Sequence, residues 1–116
     1  MNVRLEFYKN ILIISPIGEL DHFNIEKFRN KEDIQIRRKK PSNIIFDLSR
    51  VTFIDSSGIG YILGKYKLCM LSGGKTAFVN VNGNTRKILE ISGLLKIIKI
   101  CPTVDQAILA IEKGGL

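Results

Sequence analysis

The residues with the most chemical potential are Asp55, Ser56, Ser57 and Gly58. They stand where an irregular stretch, Val51 to Gly58, gives way to a run with helical periodicity. Ser and Asp are preferred helix N-caps, and glycine permits close packing, so capping alone accounts for the segment. Serine can also be a nucleophile, but a nucleophilic serine needs a general base. The segment lacks the G-x-S-x-G elbow, and no S-x-x-K spacing starts at Ser56 or Ser57. The one histidine, His22, lies far away in the chain. Hydrolytic chemistry is therefore not expected. A third use suits a hydroxyl at a helix start. An added phosphate meets free N–H groups and the positive end of the dipole. It brings a charge of about −1.5 to −2 to a small neutral group, beside the charge of Asp55. Spacing alone does not establish such a switch.

Other chemistries find little support. Gly58, Gly60 and Gly64 fall within the helical run, and no G-x-x-x-x-G-K-[ST] motif is present. Small residues there let the helix approach a sheet. Cys69 and Cys101 form no C-x-x-C pair, and with one histidine they cannot supply a zinc site of about four ligands. Both read as small apolar core residues of a reducing compartment. No cofactor is expected.

The chain has 116 residues, 45% of them hydrophobic and 25% charged, which suits one domain with one core over residues 1–116. No signal-like run opens the chain, and no stretch reaches the ~20 apolar residues of a membrane span. These features predict a cytoplasmic protein without membrane contact. The net charge of +7 admits an acidic partner or nucleic acid. Its densest cluster, Arg37 to Lys40, precedes Pro41, where cations favour a helix C-terminus without any partner. No tryptophan and no aromatic-basic ribbon suggests base stacking. The charge reads as a solvated face.

Periodicity supplies the elements. Asn2–Tyr8 alternates as a half-buried strand, Lys9-Asn10 turns, and Ile11–Ile14 completes an antiparallel hairpin. Gly18 to Asp21 breaks the pattern. A helix capped by Asp21 or Asn24 follows, with Ile25, Phe28 and Ile36 inward and polar residues interrupting the stripe. Asn43–Leu48 reads as a strand buried on both faces. Ile59, Ile62, Leu63, Tyr66, Cys69 and Met70 mark a strong amphipathic helix, ended by Gly73-Gly74. Then come a strand over Lys75–Val81, a short helix capped by Asn84 and ending near Ile91, and a strand over Ile97–Cys101. A last helix starts in a Thr103/Gln106 capping box and ends at Gly114-Gly115. The order β-β-α-β-α-β-α-β-α predicts an α/β fold with a mixed five-stranded sheet, parallel except for the hairpin. Binding loops then gather at the carboxyl ends of the strands.

The segments Gly18-Glu19-Leu20-Asp21-His22 and Phe53-Ile54-Asp55-Ser56-Ser57-Gly58-Ile59-Gly60 resemble signature segments of the STAS domain family. The family is named for sulfate transporters and anti-sigma factor antagonists. Ile62–Lys67 and Ser92–Ile98 match as well, so the resemblance covers nearly the whole chain. The first segment is similar to the sporulation branch. That resemblance implies a non-enzymatic anti-sigma factor antagonist, monomeric when free. Its partners are an anti-sigma factor serine kinase, which phosphorylates Ser56 and so switches the antagonist off, and a serine phosphatase that reverses this. It implies a partner surface of Glu19, Asp21, His22, Asp55, Ser56, Ser57 and Gly58. The charge of +7 is high for this group. Two rival readings are a stress-response antagonist of another kinase anti-sigma factor and a basic nucleic-acid-binding module.

Overall fold

The computed structural model describes residues 2–116; Met1 lies outside them. The expected five-stranded mixed sheet is present. β1 (Val3–Tyr8) pairs antiparallel with β2 (Ile11–Pro16), and Lys9 turns the chain with φ 53°. β4 (Asn43–Asp47), β6 (Thr76–Val79) and β7 (Lys99–Cys101) continue from β2 in parallel, in the order β1-β2-β4-β6-β7. The helices are α1 (His22–Lys39), α2 (Ser56–Leu71), α3 (Gly83–Ile91) and α4 (Val104–Glu112).

Successive residues of the central strands face opposite sides, and both sides are covered. Leu12, Ile14, Ile44, Phe46 and Phe78 join one core with Ile25, Phe28, Ile62 and Leu89 from α1, α2 and α3. Ile11, Ile13, Ile45, Ala77 and Val79 join Ala107 of α4 in the other. This is why β2 and β4 read as continuous apolar runs. Each such large side chain contributes about 1.5–3 kcal/mol by leaving water. Cys69 and Cys101 are buried free thiols, as expected, and burial pushes the Cys69 thiol up.

Several sequence expectations are corrected. Gly18–Leu20 and Val51–Ile54, read as a break and an irregular stretch, are strands β3 and β5. They pair in parallel as a separate two-stranded ribbon. The cap of α3 is Asn82, whose Oδ1 accepts the Thr85 N–H at 3.0 Å; Asn84 lies inside the helix. Asp21, not Asn24, caps α1. A 3-10 turn over Leu94–Lys96 shortens the last strand. On α2, Ile62 and Cys69 are buried as expected, but Met70 is exposed, and Tyr61 and Lys65 turn inward instead. A Cβ on Gly60 or Gly64 would meet nothing within 4 Å, so of these three helix glycines Gly58 alone serves close approach.

The polar interruption of α1 also has a structural reason. Glu32 is fully buried, and its Oε1 lies 2.7 Å from Lys65 Nζ of α2. Its Oε2 accepts a hydrogen bond from the Tyr61 hydroxyl. Lys65 also lies 3.6 Å from Asp33 Oδ1. Tyr61 packs edge-on to Phe28 at 5.6 Å and to Phe46 at 6.2 Å between ring centroids. Removing one member of a buried ion pair leaves the other charge unpaired and costs about 3–5 kcal/mol, a large share of a typical domain's stability.

Two predictions follow from this network. Lys65→Met lowers the unfolding free energy by that margin, and adding Glu32→Gln recovers more than half of the loss, as equilibrium urea unfolding will show. Burial, then the neighbouring Glu32 carboxylate, holds the Tyr61 phenol well above its ordinary value. The fold keeps that proton where the unfolded chain, with a tyrosine pKa of about 10, releases it. The Tyr61 contribution to stability is therefore full below pH about 10 and is lost as the pH rises beyond it. Tyr61→Phe flattens this alkaline limb in unfolding curves recorded across that range.

Candidate functional site

The β3–β5 ribbon brings two helix starts together. Leu20 pairs with Ile54, and each strand is followed by an aspartate that caps the next helix. Asp21 Oδ1 accepts the Asn24 N–H at 2.8 Å, and Asp55 Oδ1 accepts the Gly58 N–H at 2.9 Å. The Asp55 N–H donates to the Leu20 carbonyl at 3.3 Å, which ties one helix start to the other. Gly58 completes the junction. A Cβ there would collide with the Leu20 carbonyl oxygen and approach Ile54 Cγ2 to 2.7 Å, so the close contact admits glycine alone.

This packing fixes what faces outward. Ser56, the first residue of α2, is exposed; Ser57 is half-buried and Gly58 is buried. The first N–H groups of a helix have no partner within it. Ser56 therefore presents a hydroxyl above unsatisfied donors and the positive end of a 16-residue helix. Helix starts of this kind suit anions, and here Asp55 already holds the Gly58 N–H.

The structure gathers the residues singled out in the sequence at one end of the ribbon. Glu19 and His22 are exposed beside the two helix starts. The Glu19 carbonyl accepts Asn24 Nδ2–H at 2.8 Å, which anchors the strand to α1. Asp21 and Asp55 are half-buried and engaged as caps, so their first role is to hold the backbone. Gly58 offers no outward group; it shapes the junction. Two residues were not foreseen: Phe53, 47% exposed and paired with Glu19 across the ribbon, and Phe23, 64% exposed with Lys27 Nζ 4.2 Å from its ring centroid. An aromatic one residue before the Ile54-Asp55 step was the available signal for Phe53. Among the described residues, no group of three or more His, Cys, Asp or Glu side chains is placed to hold a metal ion.

Comparison with known proteins bears on the family and the fold. The model of the STAS domain matches residues 2–107. The chain is 36% identical over 112 residues to an anti-sigma F factor antagonist of Paenibacillus polymyxa, covering 97% of this chain and 96% of the relative. It resembles the solved structure of the anti-sigma factor antagonist SpoIIAA in its unphosphorylated form. That match has a TM-score of 0.73 and 28% identity, over 95% of this chain and 97% of that one. It also resembles the Bacillus cell fate determinant SpoIIAA in the phosphorylated form, with a TM-score of 0.70 and 32% identity over 91% and 96% of the two chains. These relatives are named as regulators rather than enzymes. The chain belongs to the STAS domain family.

Proposed function

We propose that this protein is an anti-sigma factor antagonist of the SpoIIAA type, switched by phosphorylation of Ser56. The unmodified form binds an anti-sigma factor that is also a serine kinase, and so frees the sigma factor. The kinase transfers the γ-phosphoryl group of ATP to the Ser56 hydroxyl, whose proton is lost, and ADP leaves. A serine phosphatase hydrolyses the ester and restores the bare serine. The protein is a substrate in both steps and catalyses neither.

The observation that carries this reading is the exposed Ser56 at the start of α2. Support also comes from a relative named as an anti-sigma F factor antagonist and from a similar structure solved in both phosphorylation states. The switch has a simple physical form. A partner that fits the bare hydroxyl next to Asp55, Glu19 and Phe53 meets added bulk and a further charge of about −1.5 to −2 after modification. Like-charge juxtaposition of this kind costs a complex several kcal/mol. The dianion is meanwhile stabilised within its own chain by the helix start. In this reading Glu19, His22, Ser57 and the exposed Phe53 join the partner surface, while Asp21, Asp55 and Gly58 hold its shape. A stress-response antagonist would use the same site and differ only in the kinase that recognises it.

The test is incubation with candidate anti-sigma kinases and ATP, followed by mass spectrometry. Phosphate is expected on Ser56 and not on Ser57. Ser56→Ala abolishes modification and keeps kinase binding. Ser56→Asp weakens binding by about 10- to 100-fold, since one carboxylate carries part of the phosphate charge. Phosphate on another residue, or equal binding of the bare and modified forms, contradicts the assignment.

A further inference from the structure

The positive charge of the chain is not spread evenly over the fold. The parallel strands of the main sheet all begin at one edge and end at the other. Asp21, Asp47, Asp55 and Asp105 follow or close strands at the carboxyl edge. Arg4 and Arg50 there share a cleft with Glu6 and Asp47, and Lys27 and Arg86 lie near the starts of α1 and α3. The amino edge is different. The Ser42 and Asn43 N–H groups donate to the Asn10 carbonyl at 3.0 and 3.1 Å, and the Lys75 N–H donates to Asn43 Oδ1 at 2.8 Å. These bonds set the Lys9-Asn10 turn, the end of α1 and the loop before β6 side by side. Lys9, Lys40 and Lys75 thus line one edge, next to Arg37, Arg38 and Lys39 in the last turn of α1, and all are exposed. Glu112, 3.2 Å from Lys9, is the acid paired within this group.

The same edge carries bare apolar side chains. α2 ends there, with Leu71 85% exposed, Met70 59% exposed and Leu68 exposed one turn earlier. Met70 lines a cleft with Tyr66, Lys75 and Ile97, so the apolar and cationic residues adjoin. Nucleic acid backbones call for cations without protruding aliphatic groups, and base stacking calls for aromatics. A lipid interface uses both features at once. Lysines meet anionic headgroups, and aliphatic side chains enter the acyl boundary. We propose that this amino-edge surface docks peripherally on an anionic lipid bilayer. No helix among the described residues is long and apolar enough to cross a membrane, so the contact is a surface one. It departs from the sequence reading, which took the charge as a solvated face and expected no membrane contact. The folded chain concentrates that charge beside Leu71 and Met70. Ser56 sits at the other end of α2, roughly 22 Å away at 1.5 Å per residue. A docked molecule therefore keeps its Ser56 face turned away from the bilayer and open to a protein partner.

Co-sedimentation with vesicles tests this independently of the Ser56 switch. The full chain binds vesicles of phosphatidylcholine mixed with phosphatidylglycerol, binds pure phosphatidylcholine at least about tenfold more weakly, and releases as salt rises. Lys40→Glu with Lys75→Glu lowers binding to the mixed vesicles by about a hundredfold. Leu71→Ser, at a solvent-facing position that folding tolerates, lowers it several-fold, whereas Ser56→Ala leaves it unchanged. Circular dichroism checks that each variant is folded. The proposal is overturned by equal binding to both vesicle types, by no binding, or by a Leu71→Ser variant that binds like the parent. Duplex DNA binding tighter than vesicle binding also overturns it, since the surface is then a nucleic-acid face.

Discussion

The contact between Gly58 and the Leu20 carbonyl governs the geometry of the site. It is the point where α2 meets the β3 strand at a distance that no side chain permits. Because Gly58 sits there, Asp55 can cap its N–H and at the same time donate its own N–H to Leu20. Because Leu20 is held, the next residue, Asp21, is placed to cap α1. One close approach thus fixes two helix starts and turns Ser56 outward. The signature segments around Asp21 and Ser56, far apart in the chain, are one structural unit. A larger residue at position 58 would move both caps and the serine together.

A second constraint holds the two helices along their length. The Glu32–Lys65–Tyr61 network lies between α1 and α2, and Tyr61 carries it to the aromatic cluster of Phe28 and Phe46. Buried ionic groups of this kind are a poor source of net stability, but a mispaired one is costly. Their effect here is to set the register of α1 against α2. Ser56 and its neighbouring exposed residues, Glu19, His22 and Phe53, therefore stand on elements that this buried network ties together. A switch that works by altering charge at a fixed surface needs such ties, because a soft base would absorb the perturbation.

Most of the architecture was legible from periodicity. Ile44–Phe46 and Ile11–Ile14 are long enough to show continuous burial, and Ile62 and Cys69 show helical spacing. The ribbon was not legible. Gly18–Leu20 and Val51–Ile54 are three and four residues long, too short for a pattern, and each exists only because the other pairs with it. Asn82 and Asn84 are equally good caps by type, and only the turn geometry selects Asn82. Glu32 and Lys65 look like surface residues because their partners are distant in the chain. Tyr61 was overlooked for the same reason. The site was legible as a cluster of residue types around Ser56. The division of labour within it, caps and packing against outward groups, needed the fold.

The two ends of the molecule differ in charge, and α2 joins them, with Ser56 at its start and Leu71 at its end. The strands of an α/β fold run from one edge to the other, so their loops form two faces that can be occupied independently. At the face that bears Ser56, the proposed phosphate changes the surface and leaves the fold alone. The direct measurement compares amide ¹H–¹⁵N spectra of the bare and Ser56-phosphorylated chains. Shifts confined to Glu19–Asn24 and Phe53–Ile59, with the core amides of β2, β4 and β6 unmoved, are the predicted result. Shifts spread through those central strands, or loss of cooperative unfolding on phosphorylation, would contradict it.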